Sequence, residues 1–336
     1  MPLRHKKVSN ASKTFSNTMA TLNIQSTDLA KSAVQYQKEL LIMPVIGAQE
    51  TLKHMTPLPG SRGRVVMGSL GGDIELGPYD PSRVDNSGVS VDARTLEVFL
   101  GSVVKKFDPN EAWQTVYGSL LTQGEELKQV DMAQQVLLYL AAQLGKKLNE
   151  SIFSAKRNDA GTTTKDLFDG FDSITEKEIT AGNIATAKKN LYEFGAAFTH
   201  QNAVDLLKAF YWAASDELQS RPTKMYIPVN VMNAYTEDYQ QSVGAVPYNQ
   251  QYQKTFLEGS NNLCELVPLV SKKGSNFIHL APQGNMVYGY GNGLAEETIA
   301  VEKHAPFLLD FVATMFFGTQ FRSIAPEALF VGKLPA

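Results

Sequence analysis

Apolar positions along this chain follow two rhythms, with a segment between them that follows neither. Over residues 130–156, Ala133, Leu137, Leu140, Ala141, Leu144, Leu148 and Ile152 form one stripe at helical spacing. Lys146, Lys147, Glu150 and Lys156 fall off that stripe. At 1.5 Å per residue this predicts a helix roughly 40 Å long, well beyond the usual three turns. Such a helix is a structural spine, which Gly145 weakens only slightly. A shorter helical pattern runs from Asp28 to about Met43, with Asp28 as N-cap and Pro44 as its stop. Asp108, Pro109 and Glu111 have the spacing that opens another helix. Helices are also predicted over 184–198 and over 202–219, the latter stopped by Pro222. A short strand at 224–228 precedes a helix over 229–240.

The second rhythm has a period of two. It covers 90–107, where Leu96, Val98 and Leu100 alternate with their neighbours, and it dominates from Glu265 onward. The runs there are 265–270, 276–280, 285–290, 297–303, 309–317, 320–324 and 328–331, mostly separated by Gly or Pro, and they predict antiparallel sheet. Helices alternating with short strands in the middle of the chain imply a sheet covered by helices.

The segment with neither rhythm is 60–89, GSRGRVVMGSLGGDIELGPYDPSRVDNSGV. It holds seven glycines and two prolines around two short apolar runs, Val65-Val66-Met67 and Ile74-Glu75-Leu76. Pro78, Pro81 and the Gly71-Gly72 pair punctuate it as strand breaks and turns require. A two-stranded ribbon is marginal by itself in water, so this arm is expected to lie on another subunit. Opposite charges along it suit ion pairs that fix register with a neighbour. Arg62, Arg64, Asp73, Glu75, Arg83 and Asp85 are the candidate contacts.

Composition changes this picture little. The 336 residues are 43% hydrophobic and 19% charged, ordinary for a globular chain of one large domain or two. A net charge of −3 gives no global field for capturing nucleic acid. No apolar run approaches the ~20 residues that span a bilayer. The first eighteen residues carry Arg4, Lys6, Lys7 and Lys13 but no secretory apolar stretch, and Met19 offers an alternative start. The single Cys264 excludes an internal disulfide.

The search for chemistry finds no constellation. His5, His54, His200, His279 and His304 are scattered with no pair at metal-ligand spacing, and His279 reads as a packed strand histidine. There is no Gly-x-Ser-x-Gly and no phosphate loop. Residues 289–293 (GYGNG) lead into a strand, not a long helix, and so read as a hairpin loop. The acidic pairs Asp169/Asp172, Glu125/Glu126 and Glu296/Glu297 read as solvated turns or helix ends. No catalytic residue, cofactor or metal is assigned, and the expectation is a structural protein and not an enzyme.

The order of pieces, namely basic tail, helix, glycine-rich arm, long amphipathic helix, α/β middle and closing strands, resembles the major capsid protein of tailed bacteriophages, the Hong Kong-97-like fold. The resemblance covers roughly 28–333. It rests on the arm 60–89, the helix 130–156, LFDGFDSI at 167–174, KMYIPVNVMNAY at 224–235 and the strand pattern of 285–331. It implies an α+β fold with an N-terminal arm, an extended E-loop, a spine helix with Leu137, Leu140, Leu144 and Leu148 in its core, a peripheral antiparallel sheet and an axial α/β domain. The implied division is 1–56 tail and N-arm helix, 57–107 E-loop and flanking strands, 108–174 peripheral domain, 175–284 axial domain and 285–336 closing strands. It implies pentamers and hexamers that build an icosahedral shell around double-stranded DNA, scaffolding and portal proteins as partners, no membrane, and a place in the virion after assembly in host cytoplasm. Residues 57–104 contain no lysine, so covalent welding through an arm lysine is not expected. The same fold could instead form an encapsulin-like compartment, and a soluble α/β enzyme is the rival of a different class.

Overall fold

The computed structural model describes residues 37–71, 90–107, 132–244, 255–305 and 308–335. The basic tail, the first part of the helix expected from Asp28, residues 72–89 of the arm and the helix expected after Asp108 lie outside the described residues.

Helix α1 (Gln37–Gly47) does not stop at Pro44 as its sequence predicts. The Ala48 amide donates to the Pro44 carbonyl at 3.1 Å, so the turn continues past the proline. A short helix α2 (Gln49–Leu52) follows. The long helix α3 (Met132–Ser151) then crosses α1 with the two backbones in contact. A Cβ on Gly145 would lie 2.6 Å from the Pro44 carbonyl oxygen and 2.9 Å from the Gly47 Cα. Gly145 is therefore the crossing point of two helices, not a weak spot in one.

At 20 residues α3 is about 30 Å long, and it ends at Ser151 instead of Lys156. Ile152 and Phe153 leave the helix for the core, where neither is exposed. The last carbonyls of a helix need donors. The Asn149 and Ser151 carbonyls accept from the Ile152 and Ala155 amides at 3.4 and 2.9 Å, and helix α4 (Phe171–Thr180), absent from the sequence reading, holds the chain just past the end of α3. The Phe171 and Asp172 amides donate to the Ile152 and Phe153 carbonyls at 3.2 and 3.1 Å.

Two sheets complete the fold. The first comprises β1 (Thr56–Pro59), β2 (Gly63–Gly71), β3 (Ser90–Phe107), β8 (Met286–Tyr290), β9 (Thr298–Ala305) and β10 (Leu308–Phe321). Its order is β1-β8-β10-β3-β2, with β9 also on β10. The second has the order β4-β11-β7-β5-β6, from β4 (Leu191–Glu193), β5 (Thr223–Pro228), β6 (Cys264–Leu269), β7 (Phe277–Ala281) and β11 (Phe330–Lys333). Helices α5 (Ala203–Trp212), α6 (Asp216–Gln219) and α7 (Val229–Val243) lie between β4 and β6 in the chain, and α5 and α7 bury their apolar faces in one core with the second sheet.

The strands after Glu265 pair antiparallel with one another as expected, β8 and β9 with β10 and β7 with β11. Both sheets are nevertheless mixed, because strands from earlier in the chain join them in parallel: β1 to β8, β5 to β6, and β4 to β11. The helix predicted over 184–198 is a 3-10 turn (Thr186–Lys188) followed by β4. Ile184, Leu191 and Phe194 are buried at a spacing that imitates a helical stripe. Lys189 takes the left-handed conformation (φ 57°), and the buried Asn190 side chain holds the Ala185 amide and the Asn183 and Ile324 carbonyls. The stripe over 202–219 is divided into α5 and α6 by Ser215, whose hydroxyl accepts from the Leu218 amide and donates to the Pro326 carbonyl. The runs 309–317 and 320–321 belong to the single strand β10.

One buried cluster joins the layers. Lys272 is fully buried after β6, and its Nζ reaches Asp172 Oδ1 at 3.2 Å, His279 Nδ1 at 3.0 Å and the face of Phe153 at 4.1 Å. Thr175 donates to the Phe171 carbonyl, which leaves its oxygen to accept from His279 Nε2 at 2.9 Å. That fixes the neutral tautomer with Nδ1 free to accept from Lys272. His279 is packed in a strand as expected, whereas Asp172 is no solvated turn residue but the counter-ion of a buried ammonium.

Two expected outcomes follow. Gly145→Leu forces α1 off α3 and should lower unfolding free energy by ~3 kcal/mol or more, read by urea denaturation. Burial, reinforced by the Lys272 charge, holds the His279 imidazole well below its usual range. The unfolded chain takes up that proton below about pH 6.5 and the folded chain does not. Stability should therefore fall on acidification, by up to about 1.4 kcal/mol per pH unit. His279→Gln should flatten that slope relative to wild type, because both proteins keep the Asp172–Lys272 pair.

Candidate functional site

The arm grows out of one strand that serves two ladders. Residues 99–107 of β3 pair with 317–309 of β10, and residues 98–90 pair with 63–71 of β2. At about 3.3 Å per residue, the ribbon half of β3 is roughly 30 Å long. On its outer side, β2 has no further strand among the described residues.

The base of this ribbon is apolar. Met67, Leu96, Val98, Val287 and Phe316 form a small core, with Leu58, Val65 and Leu294 at its rim. Val98, Leu96 and Arg94 occupy one face of β3, so the buried row ends in a guanidinium. Arg94 Nη2 meets Glu178 Oε1 at 2.7 Å with both side chains largely covered. Burial works against ionisation of Glu178. The hydrogen bonds from Arg94 and Asn183 outweigh it and hold the carboxyl below the usual glutamate value. The other face of the ribbon is wet and partly apolar: Val66 is 67% exposed, and Leu100 and Val104 on the inner half of β3 and Tyr139 on α3 are exposed as well.

The candidate contact residues divide. Arg64 pairs with Glu97 across the ribbon at 2.9 Å, and Arg62 pairs with Glu296. Both arginines remain largely exposed, and pairs of this kind contribute about 0–1 kcal/mol. Asp73, Glu75, Arg83 and Asp85 lie outside the described residues. Of the helix residues, Leu137 and Leu148 are buried, while Leu140 and Leu144 are half-buried at the edges of two cores.

The loop after β8 corrects two expectations. Residues 289–293 make no hairpin, because β8 and β9 lie end to end along the same edge of β10. The loop between them is anchored by Glu297, which is buried and not solvated. Its Oε2 accepts from the Gly293 and Leu294 amides at 2.9 and 3.2 Å, and its Oε1 from the Phe316 amide at 3.0 Å. The carboxylate thus fills the place on the β10 edge where one strand has ended and the next has not begun.

Burial pushes the Cys264 thiol up to about 12, which removes it as a nucleophile at neutral pH. His200 pairs with Glu237 and His304 with Asp310. Among the described residues no group of three His, Cys, Asp or Glu side chains is placed to hold a metal ion.

With this geometry in view, the comparisons decide the fold. The model superposes on the capsid of a native GTA particle with a TM-score of 0.55 at 11% identity, covering 86% of this chain and 91% of that chain. It also superposes on a chain of the satellite phage P4 procapsid that includes the size determination (Sid) protein (TM-score 0.53, 10% identity, 87% and 90% covered). The capsid of Myoviridae phage XM1 is similar as well (TM-score 0.51, 12% identity, 85% and 91% covered). This chain has the phage-capsid fold. No protein-family model and no curated protein matches the sequence. At these identities the likeness is one of fold.

Within the capsid fold, Arg94, Glu297 and the Lys272 cluster escaped sequence reasoning. Each is an ordinary charged residue until the tertiary structure buries it. The only local signal was position: Arg94 extends an apolar alternation, and Glu297 lies four residues past the last glycine of a glycine-rich turn. Glu297→Ala should leave three amides without their acceptor and lower stability by ~2–4 kcal/mol, measured by chemical denaturation.

Proposed function

We propose that this chain is a major capsid protein, assembling through pentamers and hexamers into an icosahedral shell that packages double-stranded DNA. The observation that carries this reading is the β2–β3 ribbon. In a chain with the capsid fold, nine residues of β3 pair, among the described residues, only with β2, and no described strand covers the outer edge of β2. Exposed strand edges recruit strands or extended chain from other subunits through main-chain hydrogen bonds, while alternate side chains set register. Val66, exposed on that ribbon, and Leu100 and Val104 on the continuation of β3 are apolar surface of the kind an interface covers.

In this reading the ribbon is the base of the E-loop and α3 is the spine helix. The six-stranded sheet with α1 and α3 is the peripheral domain, and the five-stranded sheet with α5 and α7 is the axial domain that gathers subunits into rings. Arg62 and Arg64, with Asp73, Glu75, Arg83 and Asp85, contribute charge contacts between neighbours. Scaffolding and portal proteins are the expected partners. DNA is enclosed without sequence-specific contacts, consistent with a net charge of −3. The protein's role is structural, and its place is the virion after assembly in host cytoplasm.

Electron microscopy of the purified protein, paired with light scattering for mass, tests this directly. Closed shells or rings of five and six are expected. Deleting residues 60–89 should give a folded subunit that keeps its helical circular dichroism, loses the β2–β3 strand signal and closes no shell. Wild-type particles from the deletion would remove the role assigned to the ribbon.

A further inference from the structure

We propose that Arg94 is the positioning residue that sets the angle at which the β2–β3 ribbon leaves the subunit. The assignment rests on the assembly reading above for its consequence and on the subunit's own geometry for its substance.

The pivot is visible in the ladders. The β3–β10 pairing stops at Phe99 opposite Phe317. At the next residue of β10, a Cβ on Gly318 would lie 2.1 Å from the Glu97 carbonyl oxygen. The two backbones therefore touch as they part, and only glycine permits the contact. From there β10 continues to Phe321 beside β8, and β3 continues toward Ser90 beside β2.

Across the gap that opens between them, side chains replace the ladder. Gln320 Nε2 donates to the Thr95 carbonyl at 3.1 Å. Arg94 Nε donates to the Phe321 carbonyl at 3.2 Å, and its Nη2 donates to Gln320 Oε1 at 3.1 Å and to Glu178 Oε1 at 2.7 Å. The acceptors are themselves held. Gln320 Oε1 also takes the Phe321 amide, and Glu178 Oε2 takes Asn183 Nδ2 at 2.8 Å. One guanidinium thus ties the ribbon to the end of β10 and to helix α4.

A rod attached at one place swings, and a rod attached at two places has a direction. The apolar cluster around Val98 and Leu96 is the first attachment, beside the pivot. Arg94 is the second, roughly 13 Å along the strand from Val98 at about 3.3 Å per residue, at the level where Met67 ends the apolar cluster. The other ion pairs of the ribbon cannot do this. Arg64–Glu97 lies within the ribbon itself, and Arg62–Glu296 sits before β2 begins with its arginine 65% exposed. A lysine at 94 would keep the charge but could not reach three acceptors with the fixed fork of a guanidinium.

The test measures direction apart from stability. Val66 on the ribbon and Thr180 at the end of α4 are exposed, so Val66→Cys and Thr180→Cys accept spin labels, while the buried Cys264 stays unlabelled. Electron–electron double resonance on the unassembled full chain should give one narrow distance distribution with Arg94 present. Arg94→Met should shift and broaden it, Arg94→Lys should restore it only in part, and the milder Glu178→Gln should lie between if Arg94→Met fails to fold. Unchanged distributions in Arg94→Met and Glu178→Gln, whatever their thermal stability, would overturn the proposal. Wild-type chain that never forms shells while Arg94 variants still shift the distance would sink the assembly reading and leave this one standing.

Discussion

The backbone ladder between 99–107 of β3 and 317–309 of β10 is the interaction on which the other parts depend. It joins chain segments more than two hundred residues apart, so it forms only when the whole fold forms. Once formed it places each neighbour. Helices α1 and α3 bury Leu40, Leu137 and Ala141 against Ile299, Val301, Leu309, Phe311 and Ala313 on β9 and β10. β8 and β9 line the opposite edge of β10 from β3. The first half of β3, already extended and aimed by the second, has only β2 left to pair with. The ribbon is therefore a by-product of a strand that is longer than the sheet it belongs to.

The two sheets are held together by a single continuous core that runs from Ala48 and Leu148 through Phe153, Phe168, Phe171 and Phe321 to Tyr226 and Val331. Into this core the fold admits the ammonium of Lys272. A buried ion pair adds little net stability over apolar residues of the same shape, but removing one partner is costly. What such a pair does supply is geometry. Lys272 follows β6, His279 lies in β7, and Asp172 and Thr175 lie on α4, so satisfying one nitrogen fixes three elements. Asn285 does the same by hydrogen bonding, taking the Ser323 amide and donating to the Ser323 and Ala328 carbonyls. The relative placement of the sheets is specified by polar contacts inside an apolar seam.

How much of this was legible depends on the range of the physics involved. The span of β3 and the burial of Leu137 and Leu148 follow from periodicity, which is local. The end of α3 was not legible, because Ile152 continues the apolar stripe while the chain turns to meet the amides of α4. Pro44 and Gly145 were both read as helix breakers or weak points, yet they mark one crossing where two backbones touch. The 184–198 stripe misled for the opposite reason: its apolar spacing is real, but Lys189 in the left-handed region and the Asn190 side chain break the helix it suggests. The fold class was nevertheless accessible through the order of elements, because an ordered series of approximate pieces tolerates errors at each boundary.

The two faces of the ribbon differ, one dry and one wet. Leu96 and Val98 are buried and Arg94 and Glu178 are mostly covered, while Arg64 and Val66, opposite Glu97 and Thr95, stand in solvent on the other face. Ion pairs in the covered zone keep their direction, whereas those in the solvated zone are screened and exchange with water. An isolated two-stranded ribbon has little to hold it beyond its base. Composition fits that division of labour. Gly60 and Gly63 take positive φ where the chain turns into β2, and a Cβ on Gly60, Gly63 or Gly68 would meet nothing within 4 Å in the subunit. A subunit built this way completes its own interior first. What it leaves exposed among the described residues, namely the outer edge of β2 and a few apolar side chains, is what the assembly reading offers to another subunit.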